Sequence, residues 1–252
     1  MTTFATMPLR YSADPAAMIR FLTDLGMARV VTAGADNFAT LVAGGGGRVM
    51  VHSVQGADAT VTAGETVLCF ATEDSDEAAA HLDGKGVAVD VWDESYGRQA
   101  MAAMPSGGAV WINEEMADLY GYEGHAAAPD PDLVVAAILP TEDFDADRAF
   151  FQQFGLTSDP GADEWWEGMR SGGGVVGLHR PEEGWAPLTT SDDPRYRFPR
   201  IHLGFETSAP LGEVRDRLVA AGHPAEVVSA PEATKVHVTD PDGQVMEIHP
   251  VP

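Results

Sequence analysis

A single cysteine, Cys69, stands among 252 residues. That excludes an intramolecular disulfide and any multi-cysteine metal centre. Within Val67-Leu68-Cys69-Phe70 it reads as a buried small hydrophobe. Basic residues are also scarce. Fifteen Lys and Arg stand against 39 Asp and Glu, a formal charge of −24. This argues against nucleic acid and anionic membrane as partners. The acidic surplus reads either as a solvated surface or as an attraction for cationic ligands. No apolar run approaches the ~18 residues of a membrane span. The first residues lack the charged-then-apolar pattern of a secretory signal, so the expectation is a cytoplasmic protein. The hydrophobic fraction is 44%, enough to give one large domain, or two ordinary ones, a real core.

The first half alternates strands with few helices. Residues 4–10 read as an edge or starting strand, because Pro8 cannot donate to a ladder. Asp14 caps a helix opening on Pro15, with Met18, Phe21, Leu22 and Leu25 on one stripe and Gly26 at its end. Strands are predicted at about 28–32, 37–43 and 48–53, the last two joined through four glycines, Gly44 to Gly47. Another strand at 66–72, a helix at about 74–85 and strands near 87–92, 98–104 and 109–113 follow. A proline- and alanine-rich connector then marks a boundary. The division is residues 1–123, a linker at 124–131, and residues 132–252.

The second half repeats the first. Leu133–Leu139 is a strand, and Asp143 opens a helix with Ala146, Phe150, Phe151 and Phe154 inward and Gly155 after it. Asp36 and Asp163, and His52 and His179, fall at one common interval, and the glycine hairpin recurs at Gly172-Gly173-Gly174. Residues 180–199 form the largest extra loop and carry Trp185, Tyr196 and Phe198. Near the end, Asp240-Pro241-Asp242-Gly243 is strong turn chemistry between two strands. Alternation after it puts Val245, Glu247 and His249 on one face and Met246 and Ile248 on the other.

Four stretches carry a resemblance. They are the helix from Asp143 through Phe150-Phe151 to Gly155; Val175-Val176-Gly177-Leu178-His179; His202-Leu203-Gly204-Phe205-Glu206; and Asp240 through Ile248. In this order, and echoed in the first half, they resemble the vicinal-oxygen-chelate superfamily. That group holds glyoxalase I, bleomycin- and fosfomycin-resistance proteins and extradiol dioxygenases. The resemblance implies an α+β fold of tandem glyoxalase-like modules, built from paired βαβββ units whose curved mixed sheets form cups over a ligand. It also implies metal ligands from three strands. His202 falls at the second of these positions and Glu247 at the third. The first falls at Ala136, or at Met7 in the other half, and neither is a ligand. The first half offers Val67 and Trp111 at the other two positions.

Two functions follow as expectations. In the first, the chain is a small-molecule binding protein of the glyoxalase/bleomycin-resistance type. It would sequester a drug or metabolite, aromatic or cationic, in an aromatic-lined cup. Trp111, Met7, Trp165, Trp166 and His179 are the candidate contacts. In the second, the chain is a divalent-metal-dependent lyase or dioxygenase. His202, Glu247 and His179 would hold Fe, Mn, Ni or Zn, or His202 and Glu247 would work as a catalytic acid–base pair. His249 reads as solvated and His52 as structural. A tandem chain provides its own module pairing, so a monomer or a homodimer is expected.

Overall fold

The computed structural model describes residues 2–57, 61–94, 97–114, 116, 119–230 and 233–252. The chain is α+β, with four helices among the described residues laid on large curved mixed sheets. The N-terminal module holds β1 (Ala5–Thr6), β2 (Leu9–Ser12), α1 (Pro15–Leu25), β3 (Ala28–Ala33), β4 (Phe38–Val42) and β5 (Arg48–Ser53). It continues with β6 (Thr66–Val67), β7 (Cys69–Thr72), α2 (Ser75–Asp83), β8 (Val89–Glu94), β9 (Gly97–Ala103), β10 (Ala109–Glu114) and β11 (Tyr122–Gly124). The C-terminal module opens with β12 (Leu133–Pro140), α3 (Phe144–Gln153), β13 (Thr157–Ser158), β14 (Trp166–Ser171) and β15 (Gly174–His179). It ends with β16 (Arg200–Thr207), α4 (Leu211–Ala220), β17 (Ala225–Ser229), β18 (Thr234–Thr239) and β19 (Val245–Pro250).

One pairing rule recurs four times. The opening strand of each unit runs parallel to its closing strand: β2 with β5, β7 with β10, β12 with β15, and β16 with β19. The opening strands of two units then pair antiparallel, β2 with β6 and β12 with β16, and each module becomes a cup. Alternation divides every strand between the cup and the helix layer. On β10, Val110 and Ile112 are fully buried under helices while Trp111 faces the cup. On β16, Ile201, Leu203 and Phe205 are buried in the cores and His202 faces the other way.

The expected strand at 4–10 is broken. Pro8 interrupts the ladder, so β1 pairs with β7 while β2 pairs with β5 and β6. The expected strand at 66–72 is also split, at Leu68, whose N–H donates to Pro199 O across the module boundary at 3.2 Å. The helix starts follow the sequence. The Asp14 carboxylate accepts from Ala17 N at 2.9 Å, and the Asp143 carboxylate from Ala146 N at 3.0 Å.

The modules interlock. Helices α1 and α4 share one apolar core, with Phe21 and Leu22 against Val214 and Leu218. Helices α2 and α3 share another, where Phe70 stacks on Phe154 with ring centroids 4.9 Å apart. The two glycine hairpins meet between the modules. Gly46 has φ +128°, and a Cβ on it would stand 2.9 Å from Gly172 O, so the turn needs glycine twice over. Pairing of β6 with β16 joins the sheets of the two modules. Among the described residues no helix is long and apolar enough to cross a membrane.

Candidate functional site

The N-terminal cup encloses a cavity of about 310 Å³. Its floor is apolar and includes Met7, Leu9, Met50 and Ala71, with Val67 and Cys69 packed in the same core cluster. Burial pushes the Cys69 thiol up to about 12, so it is a packing residue, as its apolar neighbours predict. Two aromatic walls rise from this floor. One runs through Tyr11, His52, Phe38 and Tyr122. The His52 ring meets Tyr11 and Phe38 edge-on at 6.2 Å each, and Phe38 meets Tyr122 at 6.0 Å. The other runs from Trp92 to Trp111, 6.1 Å apart, and on to Tyr196 at 5.4 Å and Phe198 at 4.7 Å from Trp111.

Tyr196 and Phe198 come from the C-terminal half. The loop 180–199 leaves its own module and straps across the N-terminal cup. Its backbone is pinned there: Ala109 N donates to Arg197 O at 2.7 Å, and Trp111 Nε1 donates to Arg195 O at 2.9 Å. Thr189 closes the strap on itself, its hydroxyl donating to Tyr196 O and accepting from Phe198 N, both at 2.8 Å. Phe198 is wholly buried, in one core cluster with Met7 and Leu9. The cup therefore takes its last wall from the other module.

The C-terminal cup differs. Val134, Ala136 and Val175 make its floor apolar. The Trp166 indole lies over Gly177, in space any larger residue would take. Trp165 is 60% exposed, outside the cup, so the pair divides between the two faces. Arg170 bridges Asp159 at 2.9 Å and Glu206 at 2.8 Å. The imidazole of His202 lies under the indole of Trp185, centroids 4.3 Å apart. Desolvation holds it below its ordinary pKa, so it favours the neutral ring.

The Glu247 carboxylate bonds His237, His249 and Lys235, not His202. One oxygen accepts from His249 Nε2 at 2.9 Å. The other accepts from His237 Nε2 at 3.1 Å and pairs with Lys235 Nζ at 2.7 Å. The His249 hydrogen bond, then Lys235, bring its pKa down to about 2 against the cost of burial. His249, read as solvated, is a partner of Glu247. His179 donates from Nδ1 to Arg180 O at 2.6 Å, with its ring 6.2 Å from Trp166.

A divalent metal at the expected positions does not fit these groups. Ala136 has no donor atom, both Glu247 oxygens are engaged, and Lys235 already brings positive charge to that carboxylate. Among the described residues no three His, Cys, Asp or Glu side chains form a metal-holding group, so His202, Glu247 and His179 do not form one.

Of the expected contacts, Met7 and Trp111 line the N-terminal cavity. Trp166 and His179 sit together in the other cup. His52, read as structural, lines the N-terminal cavity with Tyr11, Phe38 and Asn113. Two signals for them lay in the sequence: Phe38 and His52 are cross-strand partners, and Asn113 follows Trp111 by the two residues that return a strand to the same face.

No protein-family model matches the chain, and no curated protein sequence matches it. Solved structures do. A catechol 2,3-dioxygenase superposes with TM-score 0.61 at 15% identity, covering 100% of this chain and 89% of that one. The Mn(II)-bound glyoxalase from Novosphingobium aromaticivorans gives 0.58 at 14%, covering 98% and 80%. The homoprotocatechuate 2,3-dioxygenase from Arthrobacter globiformis gives 0.56 at 15%, covering 98% and 78%. The chain thus has the fold of the vicinal-oxygen-chelate proteins. At these identities the similarity establishes fold alone.

Proposed function

We propose that this chain is a small-molecule binding protein that holds a planar aromatic ligand in its N-terminal cup. The observation that supports this reading is the pair of aromatic walls, Tyr11–His52–Phe38–Tyr122 and Trp111–Tyr196, over an apolar floor. The volume of about 310 Å³ lies at the small end of ligand pockets, which suits one or two fused rings. Aromatic walls favour flat, polarisable guests. Glu94 and Glu114 outnumber Arg48 among the charged groups lining the cavity, and with a chain charge of −24 a cationic aromatic gains further attraction. Sequestration of such a drug or metabolite is the role this site would serve.

Tryptophan fluorescence of the full chain, titrated with naphthalene and with phenyltrimethylammonium, tests the reading. Saturable quenching that weakens at least tenfold in Trp111→Ala supports it. Quenching that survives Trp111→Ala but is lost in Glu247→Ala moves binding to the other cup and defeats it.

The alternative, a lyase or dioxygenase using His202 and Glu247 with Fe, Mn, Ni or Zn, has support from the neighbouring folds, one of them Mn(II)-bound. The donor set at Glu247 speaks against it.

A further inference from the structure

His52 lies near the end of β5. Its cross-strand partners are Tyr11 on β2 and Phe38 on β4. Paired residues share a face of the sheet, and all three line the N-terminal cavity. The imidazole Nδ1 stands 2.7 Å from Ser53 O. A carbonyl oxygen only accepts, so Nδ1 carries the proton, and in the neutral ring Nε2 keeps its lone pair. Tyr11 and Phe38 flank the ring edge-on, each at 6.2 Å.

The same arrangement recurs in the other module. His179 ends β15, its Nδ1 stands 2.6 Å from Arg180 O, and its ring lies 6.2 Å from Trp166, its cross-strand partner. Tying the imidazole to the next carbonyl is thus built into both cups, although their other walls differ. The space beyond the ring is what separates them. In the C-terminal cup the Trp166 indole lies over Gly177, whereas His52 borders the open cavity.

Nε2 sits at the far end of the ring from Cβ. Among the described residues it has no hydrogen-bond partner. It is also not one of the buried unpaired side-chain atoms, so the lone pair is accessible as well as unbonded. The charged groups that line the same cavity are Glu94, Glu114 and Arg48, an acidic surplus. A free acceptor beside such a surplus suits a group that is both positive and able to donate, which is an ammonium N–H. A quaternary ammonium brings the charge without the donor. A phenol brings the donor without the charge.

We infer that His52 is a specificity-determining residue of the N-terminal cup, its Nε2 accepting a hydrogen bond from the ammonium N–H of a protonated aromatic amine. This rests on the small-molecule reading above and narrows its cationic aromatic to one that keeps an N–H.

Benzyldimethylammonium and benzyltrimethylammonium test it. They differ by one methyl group and carry the same charge, and only the first has an N–H. Each is titrated calorimetrically into the full chain near neutral pH, and the ratio of the two dissociation constants is taken. His52→Phe keeps a ring and removes the acceptor, so the ratio should shift about tenfold against the N–H compound, the worth of a hydrogen bond to a charged group. His52→Gln, which places an amide oxygen near the position of Nε2, should keep most of the wild-type ratio. Comparing ratios between proteins cancels the size and desolvation of the two compounds. The wild type gives a reading of its own: the nitrogen resonance of His52 Nε2 should move with the first compound and stay in place with the second. A ratio unchanged in His52→Phe, or an Nε2 resonance that treats both compounds alike, would overturn the inference and leave the aromatic-cup reading standing. Binding of naphthalene but of neither ammonium compound would do the same. No binding of any of the three would overturn both.

Discussion

Glu247 shows how one side chain can change what a cup is for. Its carboxylate is met by two imidazoles and an ammonium, so its charge is balanced from within. Added Mn²⁺, Ni²⁺ or Zn²⁺ is therefore expected to leave the melting temperature unchanged within about a degree, since a ligand stabilises only by binding the folded state. A rise that disappears in both His202→Ala and Glu247→Ala would show a metal site after all. The same carboxylate makes a pH prediction. Its folded pKa of about 2 lies below the ordinary value of 4.5. Its contribution is thus fully present above pH 4.5 and is lost as pH falls toward 2. The side chain is 40% exposed, so solvent screening limits the effect to roughly 1 kcal/mol or less. Glu247→Gln should flatten the acid limb of a stability–pH curve by that amount; an unchanged limb would mean that the carboxylate contributes nothing. That Glu247 faces a cup was legible from alternation. Its partners were less so. His249 is two residues away and His237 lies directly across on β18, but pairing β18 with β19 needs the register of the final turn.

At the scale of elements, the strap 180–199 has the largest consequence. Phe198 is its anchor, wholly buried among Met7, Leu9 and Val67. Phe198→Ala should cost about 3–5 kcal/mol by cavity formation, and it should also weaken aromatic binding, because Tyr196 and the Trp111–Arg195 hydrogen bond depend on the same loop. Urea unfolding and a fluorescence titration of one variant check both; lost stability with unchanged binding would make the strap structural only. Asp143→Ala, which removes the cap of α3, should cost about 1 kcal/mol and leave binding alone. Helix caps and strands were largely readable, because they rest on local chemistry: Asp before Pro or Phe, glycine after the last apolar turn, period two in the strands. The strap was readable only as an insertion. Its aromatic residues were visible, but nothing local says that they cross to the other module, since that depends on a pairing between Leu68 and Pro199 far apart in sequence.

On the scale of the whole molecule, the two halves share both cores. Phe21 and Leu22 of the first half pack with Val214 and Leu218 of the second, and Phe70 packs with Phe151 and Phe154. One cooperative unfolding transition is expected, with far-UV circular dichroism and tryptophan fluorescence coinciding. Two separated transitions would show that each module is stable alone. Within this joined frame the cups have diverged. The N-terminal one keeps an open aromatic cavity; the C-terminal one is crossed by Trp166 and ion-paired around Glu247. The resemblance of the sequence reached the fold but favoured the second cup for chemistry, because the positions of His202 and Glu247 can be counted along strands and the shape of a cavity cannot. A crystal structure of the full chain soaked with phenyltrimethylammonium is the most direct test. The ring is expected between Phe38 and Trp111 in the N-terminal cup. Density for the ligand beside Glu247 and His202 instead, with the N-terminal cup unoccupied, would contradict it.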